Sequence, residues 1–163
     1  MIRMKIKIVI GADHGGFRLK EDIKSFLQGL GYSVEDVGTN SEESCDYPDY
    51  AFKVAEAVGR AESPQLQPFP NIMGILACRS AAGMMIAADK VNGVRAVAAL
   101  DEMAAKHSRE HNAANVLGLS GDWTSLDDAK IIVEAWLGTP FSGEERHARR
   151  LAKISDFEKK VFK

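Results

Sequence analysis

Cys78 stands where an apolar run, Ile72–Ala77, meets Arg79-Ser80-Ala81-Ala82-Gly83, which places a thiol at the junction of a strand and a helix. Unpaired backbone N–H groups and the positive end of the helix dipole gather at such a junction. Both stabilise a thiolate, which can then serve as a base. The N–H groups from Ser80 to Gly83 point into the same crevice, able to hold an enediolate oxygen or a phosphate. A free cysteine is also among the residue types most often buried, and packing alone accounts for many at strand ends.

Asp13 and His14 follow a second apolar strand, Lys5–Ile10, inside the turn Gly11-Ala12-Asp13-His14-Gly15-Gly16. A carboxylate beside an imidazole fixes its tautomer or raises its basicity, and the glycines let backbone approach a ligand closely. The alternative is a loop histidine satisfied by its surroundings. The turn is not a dinucleotide fingerprint, and no Walker lysine pattern is present. His111 and Asn112 end a polar helical segment and suit either a ligand or the negative end of the helix. Arg146 and Arg150 lie one turn apart, a spacing that clamps a phosphate or simply lines a solvated face. Tyr47, in Asp46-Tyr47-Pro48-Asp49-Tyr50, either walls the crevice or packs as an ordinary amphipathic residue.

These residues need a scaffold of alternating strands and helices. Phe17, Leu19, Ile23, Phe26, Leu27 and Leu30 recur at helical spacing after the first turn, and Gly29 and Gly31 close that helix. Tyr32–Val37 reads as the second strand. Ala51, Val54, Ala55 and Val58 mark a second helix with Pro48 in its first turn. Ser63–Asn71, with Pro64, Pro68 and Pro70, reads as an extended surface loop. Ala81–Lys90 reads as a helix, Val94–Leu100 as the fourth strand, and Asp101 caps a helix to about His111. Asn115–Leu119 makes the fifth strand. Ser125 or Asp127 opens a helix to Leu137, and a charged helix runs from about residue 144 to 162. The alternation predicts a Rossmann-like three-layer α/β/α sandwich around a five-stranded parallel sheet, with one domain over residues 1–163. In such a sheet ligands bind beyond the carboxyl ends of the strands, so Asp13, His14, Cys78 and Ser80 are expected around one crevice.

The composition is that of an ordinary globular chain, 45% hydrophobic and 27% charged with a formal net charge of −2, which argues against nucleic acid and against a membrane. The apolar run Ile6–Ile10 is too short for a signal peptide, so the expected location is cytoplasmic. Cys45 and Cys78 have no metal-ligand spacing and read as free thiols, with no structural zinc.

Together the motifs resemble the ribose-5-phosphate isomerase B family, which includes the two subunits of galactose-6-phosphate isomerase. The match runs from Lys5 to about Ile154. It is carried by Gly11 to Phe17, Asp46 to Ala51, Cys78 to Met84, Ala87-Ala88-Asp89-Lys90, Arg109-Glu110-His111-Asn112-x-x-Asn115-Val116-Leu117 and Arg146-His147-x-Arg149-Arg150. The resemblance implies interconversion of ribose 5-phosphate and ribulose 5-phosphate through a cis-enediolate, without metal or other cofactor. It makes Cys78 the base between C1 and C2, Ser80 the hydroxyl that helps move a proton between the oxygens, and Ala81, Ala82 and Gly83 the anion hole. It makes His111 the ring-opening residue, Asp13 and Asn112 contacts to substrate hydroxyls, and His14, Arg146 and Arg150 contacts to the phosphate. It also implies a homodimer or homotetramer with the site at the subunit interface, reached by the C-terminal helix.

The sequence departs from that family in two places. Its loop usually reads Cys-Gly-Thr/Ser-Gly-x-Gly, whereas Arg79 and Ala81 replace two of the glycines. If those positions need positive φ, each costs about 1 kcal/mol; otherwise the loop takes another path. After the last strand the family commonly carries an arginine, where this chain has Gly121-Asp122-Trp123. Asp122 repels a dianion unless Arg79 compensates. The competing expectations are an isomerase of a six-carbon sugar phosphate or an unphosphorylated sugar, and a non-catalytic sugar-phosphate-binding subunit. Retention of Cys78, Ser80, His14 and His111 in one chain speaks against the latter.

Overall fold

Side chains alternate along a strand, so Ile8 and Ile10 enter one hydrophobic cluster while Val9 enters another on the opposite face of the sheet. The structure, a computed structural model, describes residues 6–62 and 66–162. Lys5, the expected start of the first strand, and Pro64 of the proline-rich segment lie outside the described residues.

The strands are β1 (Lys7–Ala12), β2 (Ser33–Asp36), β3 (Ile72–Cys78), β4 (Ala96–Ala98) and β5 (Val116–Ser120). They form one parallel sheet in the order β2-β1-β3-β5-β4. The helices are α1 (Phe17–Gly29), α2 (Tyr47–Ala61), α3 (Ala82–Ala88), α4 (Glu102–Asn112), α5 (Leu126–Gly138) and α6 (Glu145–Val161). On one face Ile23 and Leu27 of α1, Ala105 of α4, and Ile132, Val133 and Trp136 of α5 cover Ile8, Ile10, Ile75 and Leu117. On the other, Val54 and Val58 of α2 and Met84 of α3 cover Val9, Leu76 and Val116. Fully burying such side chains contributes about 1.5–3 kcal/mol each, which explains why β1, β3 and β5 read as continuous apolar runs. The three-layer α/β/α prediction is met.

Several boundaries differ from the sequence reading. β4 covers only Ala96–Ala98 rather than Val94–Leu100, because it is an edge strand and Leu100 is left exposed before Asp101 caps α4. β5 ends at Ser120, paired with Cys78 at the end of β3. α4 continues through Asn112, and the residue that caps it in the left-handed region is Ala113, with φ 48°. Ser125, not Asp127, caps α5, accepting the Asp128 N–H. The described part of the proline-rich segment is anchored: the Pro68 carbonyl accepts from the buried Arg109 guanidinium at 2.7 Å and from the Phe141 N–H at 3.0 Å.

Strand order reverses between β1 and β3. The first connection carries the chain outward to β2, while the later ones build toward β4 on the other side. In an open α/β sheet that reversal opens a crevice at the carboxyl ends of the two diverging strands.

Candidate active site

The carboxyl ends of β1 and β3 carry the first group of candidates. Asp13, 7% exposed, accepts the Gly16 N–H on Oδ1 at 3.1 Å and so shapes the start of α1. Gly16 allows that helix to press on β3: a Cβ there would stand 2.1 Å from the Ala77 carbonyl oxygen. His14 accepts the backbone N–H of Cys45 on Nδ1 at 3.2 Å, and the Cys45 sulfur lies 3.8 Å from the same nitrogen. In the neutral ring the proton therefore belongs on Nε2.

Cys78 is the last residue of β3 and is 6% exposed. Its sulfur accepts the Ala81 N–H at 3.1 Å. Burial, and then the Asp13 carboxylate, push the thiol above its ordinary value; the N–H groups of Ala81, Met84 and Ser80 pull the other way. The amides act in the expected direction, but the desolvation of a charge outweighs them in the single chain. Both cysteines are free.

The loop after Cys78 resolves the question raised by its missing glycines. Ala81 takes the left-handed conformation, φ 65°, and is completely buried, whereas Arg79 does not have positive φ. One of the two anticipated strained positions is therefore real. Ser80 is half-buried and Ala82 exposed. Tyr47, at the start of α2, lies against Gly83. The Arg79 side chain lies across Gly15, and its guanidinium stands 3.7 Å from the Asp122 carboxylate. Asp122 thus meets a cation within its own chain.

His111, Asn112, Arg146 and Arg150 form a second group on α4 and α6. The His111 ring stands 4.5 Å from the His147 ring and 4.9 Å from the His107 ring, centroid to centroid. His147 is nearly buried and its Nδ1 lies 3.0 Å from the Ser142 hydroxyl. Burial first, then the neighbouring His111, Arg146 and Arg150, hold its pKa below the ordinary imidazole value, against the pull of Glu144. Arg146 pairs with Glu144 at 2.8 Å. Arg150 and Asn112 are exposed.

The two groups do not meet. α4 runs back along the sheet, so its carboxyl end lies by the start of β5, while Cys78 pairs with Ser120 at the far end of that strand. Five residues of β5 separate the levels, about 17 Å at ~3.3 Å per residue. Among the described residues no hydrogen bond, ion pair or ring contact joins the groups. Two surface clefts lie elsewhere, one beside Glu62, Arg95 and Arg109 and one beside Lys20, Lys24 and Asp36.

Sequence reasoning missed three participants. Cys45 orients His14, His147 packs on His111, and Ser120 holds the carbonyl of Arg79 at 2.5 Å. Cys45 had no usable signal, whereas His147 stands inside the Arg146 to Arg150 motif and Ser120 at the carboxyl end of a central strand. Among the described residues no His, Cys, Asp and Glu cluster is arranged to hold a metal ion, and no helix is long and apolar enough to cross a membrane.

A family model described as Ribose/Galactose Isomerase matches residues 8–154. Ribose-5-phosphate isomerase B of Escherichia coli is 42% identical over 154 residues, covering 94% of this chain and 97% of that protein. The solved ribose-5-phosphate isomerase B of Clostridium thermocellum aligns with a TM-score of 0.86 at 46% identity, covering 95% and 99% of the two chains. The Mycoplasma genitalium enzyme, solved with bound ribulose-5-phosphate, gives 0.88 at 37% identity over 97% and 99%. Fold and relatives together define an enzyme, an aldose–ketose isomerase. The chain belongs to the Ribose/Galactose Isomerase family.

Proposed function

We propose that this chain interconverts ribose 5-phosphate and ribulose 5-phosphate, with Cys78 as the base that carries one proton between C2 and C1. The observation that carries this reading is the place of the sulfur. It ends β3 at the reversal of strand order and accepts the Ala81 N–H at 3.1 Å. The thiolate removes the C2 proton of the open-chain aldose and returns it to C1, while the Ser80 hydroxyl moves a proton between O2 and O1. Amides from Ala81 to Gly83 meet the negative charge of the enediolate with fixed dipoles, which need no reorganisation as the charge develops. A thiol held above its ordinary value is a stronger base once ionised.

His111 opens the furanose ring by exchanging a proton at the ring oxygen. Asp13 and Asn112 hold sugar hydroxyls, and Tyr47 walls the site. His14, with its proton on Nε2, joins Arg146 and Arg150 at the phosphate. Because the β3 end and the α4 end lie at opposite levels of one chain, the working site takes Cys78 from one copy and His111 from another. A homodimer or homotetramer follows, its interface covering the stripe Ile154, Phe157 and Val161 that α6 leaves exposed. Its free thiols suit a reducing, cytoplasmic setting.

Replacing Cys78 with Ala tests the assignment. Turnover should fall by about three orders of magnitude or more, with the melting temperature preserved; near-normal turnover ends it. Exchange of the C2 proton in deuterated water separates a catalyst from a sugar-phosphate-binding subunit, which exchanges nothing. Activity should survive EDTA.

The Arg79–Asp122 pair favours a second reading, an isomerase of a six-carbon sugar phosphate or an unphosphorylated sugar, because it neutralises a cation at the mouth of the site. Comparing kcat/KM for ribose 5-phosphate, allose 6-phosphate and free ribose decides between them.

A further inference from the structure

Ser120 is completely buried at the end of β5 and has no part in the proton transfers above. Its hydroxyl donates to the Arg79 carbonyl at 2.5 Å and accepts the Trp123 N–H at 3.1 Å. The same Arg79 carbonyl accepts the Asp122 N–H at 3.1 Å, and the Cys78 carbonyl accepts the Gly121 N–H at 2.8 Å. The chain leaving β5 is therefore a rail along which residues 78 and 79 are laid.

We propose that Ser120 is a positioning residue for the isomerisation, aiming the Ser80 amide at the Cys78 sulfur through the Arg79–Ser80 peptide. A trans peptide is planar, with its C=O and N–H pointing in opposite directions. Two donors, the Ser120 hydroxyl and the Asp122 N–H, occupy the two lone pairs of the Arg79 oxygen. The N–H on the other side of that peptide is thereby turned toward the side of the sulfur, which accepts the Ala81 N–H at 3.1 Å, and the Ser80 and Met84 amides add to the pull that favours the thiolate. The same restraint concentrates the left-handed backbone at Ala81, sparing Arg79. Asp13, from the β1 turn, is the charged side chain acting on the thiol, and it opposes ionisation. Turning the Ser80 amide away leaves that opposition less balanced.

This inference rests on the reading of Cys78 as the base, and its test does not depend on activity alone. In the full chain, Ser120→Ala is compared with the parent for alkylation of Cys78 by iodoacetamide across pH, read by mass spectrometry on the peptide that contains Cys78. Kinetic constants and melting temperature are measured alongside. The alkylation midpoint should rise by about half a pH unit. With ribose 5-phosphate, kcat should fall about tenfold while KM stays within about twofold. If Ser120→Ala melts below the assay temperature, Ser120→Cys, which fills the same space but donates only weakly, takes its place. An unchanged alkylation profile in a folded variant overturns the proposal, whatever happens to kcat. An active Cys78→Ala enzyme instead defeats the base assignment, a result the alkylation profile of Ser120→Ala does not mimic.

Discussion

The ring of Tyr47 closes on the backbone of Gly83 so tightly that a Cβ at Gly83 would stand 2.9 Å from Cζ and 3.1 Å from both Cε atoms. Tyr47 begins α2 and Gly83 lies in the first turn of α3, so this contact joins the two helices at the mouth of the proposed site. Gly83→Ala must push the ring aside. Tyr47 is 39% exposed, so the loss of stability should be under about 1 kcal/mol. The displaced wall should lower kcat/KM about tenfold. Steady-state kinetics with a melting curve would show this, and a fully active Gly83→Ala enzyme would remove Tyr47 from the site.

Backbone strain at Ala81, φ 65°, offers a stability test. A left-handed non-glycine residue costs about 1–2 kcal/mol, and added chain freedom returns about 0.4–1 kcal/mol of that to the unfolded state. Ala81→Gly should therefore stabilise the protein by between about 0 and 1.6 kcal/mol by these same terms. Ala113→Gly, at the α4 cap with φ 48°, should behave alike. Urea unfolding with an unchanged slope is the measurement, and a destabilised Ala81→Gly protein would contradict the strain.

The raised Cys78 thiol has a sign in pH. The folded state holds this proton more tightly than the unfolded chain does. The resulting stability is present below the ordinary thiol value of 9.0 and is lost as pH rises through the higher folded value. Melting temperature should fall in that alkaline window, and the part due to Cys78 should vanish in Cys78→Ala. If the thiolate is the base, kcat/KM should rise with pH into the same range.

Arg79 and Asp122 are 67% and 46% exposed, so their pair at 3.7 Å should contribute little to stability. Asp122→Asn frees the guanidinium. KM for a sugar phosphate should fall several-fold, on the order of 1 kcal/mol, with the melting temperature and the KM for unphosphorylated sugars unchanged. Equal effects on both substrate classes would argue against a phosphate near Arg79.

Two inactive variants should repair each other. Cys78→Ala and His111→Ala, unfolded together and refolded, should form mixed dimers in which one site is doubly altered and the other is intact. A statistical mixture of symmetric pairs then recovers about a quarter of parental activity. Recovery near zero would place both residues in one copy.

Much of this protein follows from local chemistry. Ile8 to Ile10, Ile72 to Ala77 and Val116 to Leu119 are strands because β-branched and apolar side chains suit a sheet covered on both faces. Pro48, Val54 and Val58 determine α2 by the helical period and by proline's tolerance of a first turn. The place of Cys78 at the end of its strand was likewise legible, as was the family. The apposition of Arg79 with Asp122, the amide of Cys45 on His14 and the hold of Ser120 on the Arg79 carbonyl were not. These join positions 31 to 43 residues apart, and neither residue type nor spacing encodes which loops a sheet brings together. The direction of the Cys78 shift was also decided in three dimensions, because desolvation depends on what covers the sulfur. So was the separation of His111 from Cys78, since a helix between parallel strands must run backward and return its end to the level where the next strand begins.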